Sequence, residues 1–222
     1  VAKPLCLLGE RGIDMKRTII TIARQYGCGG SEIGKRLAEE FGIDFYDREI
    51  LKIVADESGV KESYFHLADE KVASSLLYKI VSGLTPKSAA PLSEGGPLGD
   101  ENLFKIQSEV IRNLAEKSSF VIVGRLAEYV LKDRSNVVSV YLHADEEFRI
   151  RRMSEINAMD ETETVKLLKK RDRERAEYCR HYTGRNWGDA NYYTLAIDTG
   201  RVGINQTVEI IRKLAESMEA DG

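Results

Sequence analysis

Arg24-Gln25-Tyr26-Gly27-Cys28-Gly29-Gly30-Ser31 is the stretch of this sequence best equipped to do chemistry. A buried strand, Thr18 to Ala23, is expected before it. An amphipathic helix from about Ser31 to Phe41 is expected after it, with Ile33, Leu37 and Phe41 on one face. Gly42 suits the C-cap of that helix. A glycine-rich turn between strand and helix gathers backbone N–H groups at the positive end of the helix, where an anion is stabilised. The spacing approaches the phosphate-cradling pattern G-x-x-x-x-G-K-[ST]. Registered on Gly29, the first glycine of that pattern is replaced by Arg24, its lysine by Gly30, and its hydroxyl falls on Ser31. Gly27, Cys28, Gly29, Gly30 and Ser31 are therefore the candidate phosphate-binding residues. Ser31 stands where a Mg²⁺-binding hydroxyl would sit. Cys28 reads as a spacer in the loop rather than a nucleophile, and Lys35, one turn into the helix, points to solvent. The alternative is a tight turn that needs its glycines only for positive φ. Glycine at three of the four positions 27 to 30 exceeds that need.

The elements that must position this loop read as alternating strands and helices. Ile43–Asp47 is a short strand ending in an acid, and helices are expected from Arg48 to Ala55, Lys61 to Val81 and Glu101 to Lys117. Ser119–Arg125 reads as a third strand running into a turn, followed by a short helix with Leu126, Tyr129 and Leu131. Val137–Ala144 is a fourth strand, and Asp145 opens a helix. Tyr192–Asp198 is a fifth strand, and Asn205–Ser217 a closing helix with Val208, Ile211 and Leu214 on one face. Such alternation implies crossover connections and a parallel sheet covered on both faces. Ligands bind such sheets beyond the carboxyl ends of the strands. The glycine loop, Asp47, Gly124-Arg125 and the residues after Leu142 all fall there.

Composition narrows the function. A chain of 222 residues, 42% hydrophobic and 31% charged, suits one domain. A net charge of −3 gives no footprint for a nucleic acid polymer. Cys6, Cys28 and Cys179 have neither metal spacing nor an even count for disulfides, which fits a reducing cytoplasm. No apolar run approaches the roughly 20 residues a membrane crossing needs. His66, His143 and His181 have no partner spacing for a metal or a triad. Residues 1–14 read as an extension ahead of Met15, and 15–222 as one domain. Residues 82–100 hold three of the four prolines and several glycines, the composition of a mobile flap.

Ile22–Gly30, Phe45-Tyr46-Asp47-Arg48-Glu49, Val121-Ile122-Val123-Gly124-Arg125 and Tyr182–Asp189 together resemble the cytidylate kinase-like family, a branch of the P-loop nucleoside monophosphate kinases. The likeness runs from about Arg17 to Ala215, and its first and last segments are the most specific. It implies an α/β, three-layer P-loop kinase fold. The fold would have a central parallel five-stranded sheet, a helical acceptor-binding insert (about 48–117) and a lid (about 160–190). It also implies phosphoryl transfer from ATP, with Mg²⁺, to CMP or dCMP, so that the partners are small nucleotides. The glycine loop of this branch commonly lacks the lysine, as here.

Asp47 suits either an acceptor contact or Mg²⁺ held through water; equally, an Asp before a helix is a good N-cap. Strand three ends in Gly124-Arg125 with no acid. Arg125 suits a forked contact to the acceptor phosphate, against the plain reading of a surface arginine. Lys169–Arg175 carries five basic residues in seven positions. On its own it reads as a solvated helix face. The likeness makes it a lid whose closure brings Arg171 and Arg175 onto the phosphates, with Asp172 holding one of them. The charge of the absent lysine then falls to Arg24, Arg171 and Arg175. Trp187 reads as packing at the base of the lid. The leading expectation is a small-molecule kinase acting on a nucleoside monophosphate. Its rivals are a nucleotide-binding protein with little turnover and a kinase for another phosphorylated metabolite.

Overall fold

A computed structural model describes residues 18–47 and 100–220. The helices expected over 48–55 and 61–81, most of the 82–100 flap and the 1–14 extension lie outside the described residues.

The elements run β1 (Ile19–Arg24), α1 (Gly30–Phe41), β2 (Asp44–Tyr46), α2 (Asp100–Ala115), β3 (Phe120–Val123), α3 (Ala127–Val130), β4 (Val137–His143), α4 (Glu146–Asn157), α5 (Glu161–Thr183), β5 (Leu195–Asp198), α6 (Thr199–Val202) and α7 (Ile204–Ala220). The sheet has five parallel strands in the order β2-β3-β1-β4-β5. β1 is central, with Ile22 opposite Val123 on one side and Val140 on the other. Its sequence is almost unbroken in apolar residues because both faces are covered.

Alternate residues of each strand feed two cores. Ile19, Phe120 and Ile122 pack with Val110, Ile111 and Leu114 of α2. Ile20, Ile22, Val121 and Val123 pack with Ile33 and Leu37 of α1 and Val208 and Ile211 of α7. Each such fully buried side chain contributes about 1.5–3 kcal/mol relative to exposure. The central strand, and the loop at its end, therefore rest on two buried cores.

Helix ends follow the local chemistry. Gly42 closes α1 at φ 64°, its N–H reaching the Ala38 and Glu39 carbonyls. The Asp145 carboxylate caps α4 and that of Asp160 caps α5. Two expectations need correction. The fifth strand is shorter, Leu195–Asp198, because Asp189 accepts from the Asn191 N–H and draws Ala190–Tyr192 into a 3₁₀ turn. The short helix α6 was not expected; the Asp198 carboxylate nucleates it by accepting from the Gly200 and Arg201 N–H groups.

Candidate active site

The loop leaves β1 at Arg24 and enters α1 at Gly30, one residue earlier than expected. Gly27 and Gly29 sit at φ 87° and 86°, the left-handed region. Both also lack room: a Cβ on Gly27 would stand 2.8 Å from Met153 Cγ, and one on Gly29 would run into Ile204. Cys28 turns inward and is fully buried, its thiol donating to the Gln25 carbonyl at 3.0 Å. Burial pushes that thiol up to about 11, opposed chiefly by Arg175 and Arg24, so it stays protonated near neutrality and is no nucleophile. Any part Cys28 plays toward an anion falls to its backbone. The Thr199 hydroxyl donates to the Cys28 carbonyl at 2.9 Å and ties the loop to the end of β5. The first N–H groups of α1 have no partners within the helix and form its positive end.

Arg24 occupies the space over the position where the motif has its lysine. A Cβ on Gly30 would lie 2.7 Å from Arg24 Cγ, and one on Gly124 would collide with the Arg24 guanidinium. The arginine stem therefore runs along the Gly30 backbone, and its head lies against the turn after β3. A cation thus enters this region from the opposite end of the motif.

Helix α5 grips the loop from outside. Asp172 Oδ1 accepts the Tyr26 N–H at 2.7 Å, and Oδ2 pairs with Arg149 at 2.5 Å. Arg149 also donates to the Tyr26 carbonyl, so both polar backbone groups of Tyr26 are held. Arg175 donates to the Arg24 carbonyl at 2.8 Å, and its guanidinium lies over the Tyr26 ring, 5.6 Å from the centroid. Asp172 was expected to hold an arginine of its own helix; instead it holds the loop and Arg149, on α4. Arg171 leans on Glu174 at 3.1 Å.

Ser31 and Asp47 meet across the helix start, Oγ donating to Oδ2 at 2.8 Å. Both are hard oxygen donors. Mg²⁺ keeps several waters and takes one or two protein oxygens beside substrate phosphates, and this pair fits that habit. Among the described residues there is no cluster of three or more His, Cys, Asp or Glu side chains suited to a metal.

Beside the loop, at the ends of β1 and β3, opens a cavity of about 350 Å³. Arg24, Arg125, Arg171 and Arg175 all line it, with Glu128, Tyr178 and Trp187. Arg125 and Leu126 take left-handed conformations, φ 63° and 53°, directly after Gly124 at 82°. Non-glycine residues held there cost about 1–3 kcal/mol each and concentrate at ligand sites. Arg125 donates to Gln107 Oε1 at 3.2 Å; Gln107 is 2% exposed. Trp187 packs edge-on against Tyr141, 5.7 Å between centroids, which agrees with a packing role. The aromatic wall continues through Tyr178 to Tyr182, which stacks on Phe104 at 4.3 Å.

The structure thus brings Arg24, Arg125, Arg171 and Arg175 to one cavity and pairs Ser31 with Asp47 next to the glycine loop. Sequence reasoning missed Gln107, Glu128 and Arg149. Glu128 carried one signal: a carboxyl one turn after Gly124-Arg125 at a strand end. Arg149 and Gln107 sit on helices as ordinary polar residues and carried none.

The sequence profile of the cytidylate kinase-like family matches residues 19–201. A cytidylate kinase of Methanosarcina mazei is 26% identical over 205 residues, 90% of this chain and 97% of that one. A cytidylate kinase of Methanopyrus kandleri is 24% identical over 203 residues, 87% and 91% of the two chains. The crystal structure of an uncharacterised protein from Eubacterium ventriosum superposes with TM-score 0.68 at 28% identity, covering 90% of this chain and 99% of that one.

Proposed function

The chain belongs to the cytidylate kinase-like family, and from that premise we propose that it transfers a phosphoryl group from ATP to a nucleoside monophosphate, CMP or dCMP. The observation that carries this reading is the cavity lined by Arg24, Arg125, Arg171 and Arg175 beside the glycine loop. Phosphoryl transfer asks a protein for positioning and for neutralised charge more than for covalent chemistry. Four guanidiniums around about 350 Å³ supply both to a small phosphorylated acceptor.

In this reading the N–H groups of Gly27–Ser31 hold the donor phosphates. Arg125 forks onto the acceptor phosphate. An oxygen of that phosphate attacks the γ-phosphorus of ATP; the new P–O bond forms as the bond to the bridging oxygen breaks, and ADP leaves with the electron pair. A dianionic acceptor phosphate has no proton to lose at this step, so no general base is needed. Arg24, with Arg171 and Arg175 on the lid arm α5, offsets the charge on the transferring group. Ser31 and Asp47 would hold Mg²⁺, which when bound would neutralise charge on the donor phosphates. Tyr178 and Trp187 wall the cavity and exclude water.

The test is a panel of CMP, dCMP, UMP and AMP, and of phosphorylated sugars, with ATP and Mg²⁺. ADP and CDP or dCDP are the expected products. Turnover of a sugar phosphate alone reassigns the acceptor. If nothing in the panel is phosphorylated, the transfer reading is wrong. Gly30 in place of the lysine favours a second reading, a nucleotide-binding protein with little turnover. Tight ATP binding in calorimetry without product from any acceptor would establish it.

A further inference from the structure

Glu128 has no task in the transfer just described, yet it is built into the same space. It lies on α3, is 8% exposed, and lines the cavity with the four arginines. The charged and titratable groups around it come from every side. Arg24 comes from β1, Arg125 from the turn after β3, and Arg171, Glu174, Arg175 and Cys179 from α5. Arg185 follows α5, its guanidinium held 4.9 Å from the Tyr129 ring centroid and 4.2 Å from that of Tyr192. Tyr193 leads into β5 and also feels the Glu128 charge.

Burial pushes the Glu128 carboxyl up to about 7, opposed by its own backbone N–H and then by Arg185 and Arg24. Burial also raises Cys179 and Tyr193, with the Glu128 charge adding to the effect, so both stay neutral while Glu128 changes charge. Guanidiniums do not deprotonate. Of Glu128, Cys179 and Tyr193, Glu128 is the one that can exchange a proton near neutrality.

We propose that Glu128 is the exchangeable counter-charge of this cavity: its carboxylate answers the arginines until a tetrahedral oxyanion, the acceptor's phosphate monoester, binds there, and it then takes up a proton. The proposal rests on the cavity being the acceptor-phosphate site. Its physical basis is that two anions confined in a small, poorly solvated space cannot both keep full charge. One proton passes from solvent to a Glu128 carboxyl oxygen for each oxyanion bound, and no other bond changes.

Calorimetry on the full chain tests this with two probes, sulfate and CMP, in buffers of different ionisation enthalpy. Sulfate keeps its charge between pH 6 and pH 8, so its pH dependence reports the protein. Wild-type protein should take up a large fraction of one proton at pH 7.5. It should bind sulfate roughly tenfold more weakly at pH 8 than at pH 6. Glu128→Gln should lose the proton uptake and bind sulfate at pH 8 as tightly as wild type does at pH 6. Wild-type binding with no proton uptake and flat affinity would overturn the proposal and leave the acceptor site standing. Weaker binding by Glu128→Gln at every pH would also overturn it, by making the residue structural. If wild type binds neither probe, the acceptor-site reading falls and this proposal with it. The wild-type proton count stands even if the variant fails to fold.

Discussion

In the proposed transfer, Arg24 is the residue on which the chemistry leans hardest. Its stem fills the space over Gly30 and its head reaches the turn at Gly124. A cation set there acts on charge that develops during transfer rather than on ground-state binding. Arg24→Ala should therefore lower kcat by about 10²–10³, with ATP affinity in calorimetry changed far less. An unaltered rate would remove Arg24 from the mechanism. Glu128 makes a separate prediction about stability. Its folded-state value of about 7 lies above its ordinary 4.5, so the folded chain binds more protons than the unfolded one between those values. Stability is then lost as pH rises through that window, by up to about 3 kcal/mol. Glu128→Gln should melt higher than wild type at pH 8 and lose that advantage at pH 4.5. At this scale the sequence was legible where backbone need dictates residue type. Gly27 and Gly29 were readable because only glycine suits their φ and crowding. Glu128 was barely so: its place one turn after a strand-end turn is a hint, but a Glu on a short helix looks the same whether it faces water or a cavity.

Among the elements, α5 shows how far charge patterning can be read. Its outer face is the solvated surface that base rates favour, with Lys170–Glu174 at 4.0 Å and Arg173–Glu177 at 3.6 Å as i,i+4 pairs. Its inner face carries Asp172 and Arg175 to the loop. One run of charges serves both faces, and composition does not say which residues turn inward. Asp172→Ala removes the acceptor for Tyr26 N–H and strands Arg149, which is 8% exposed. The expected cost is about 2–4 kcal/mol in chemical denaturation. A weaker ATP affinity should accompany it, since the loop loses its outer brace. Unchanged affinity in a folded variant would show that the loop holds its shape without α5. Strand β5 was overestimated for a related reason: apolar and aromatic content suggested pairing from Tyr192, but the Asp189 side chain competes locally for the backbone.

For the whole molecule, the alternation of apolar strands with amphipathic helices made the parallel sheet legible, because crossover connections allow little else. That pattern alone leaves the strand order open, since the order depends on which sheet edge each crossover returns to; it followed only from the family resemblance. Nor did net charge reveal the site. The chain totals −3, yet four arginines converge on one cavity. A concentrated positive cleft on a mildly acidic body attracts anionic substrates in a way that salt screens. The kcat/KM for CMP should therefore fall several-fold between 50 mM and 500 mM added KCl, roughly as expected when the Debye length shrinks from over 10 Å to a few. A rate indifferent to salt would place acceptor capture outside the arginine cavity.

The lie of the Arg24 side chain against Gly30 and Gly124 has a consequence for how such loops change over time. A side chain at position 30 would meet the Arg24 stem, and one at 124 would push the guanidinium aside at a φ of 82° that already disfavours any Cβ. Grafting the lysine of the common motif onto Gly30 alone would bring two long cations into one volume. The three positions therefore constrain one another. Converting this loop to the lysine type therefore calls for a shorter residue at position 24 together with the change at 30.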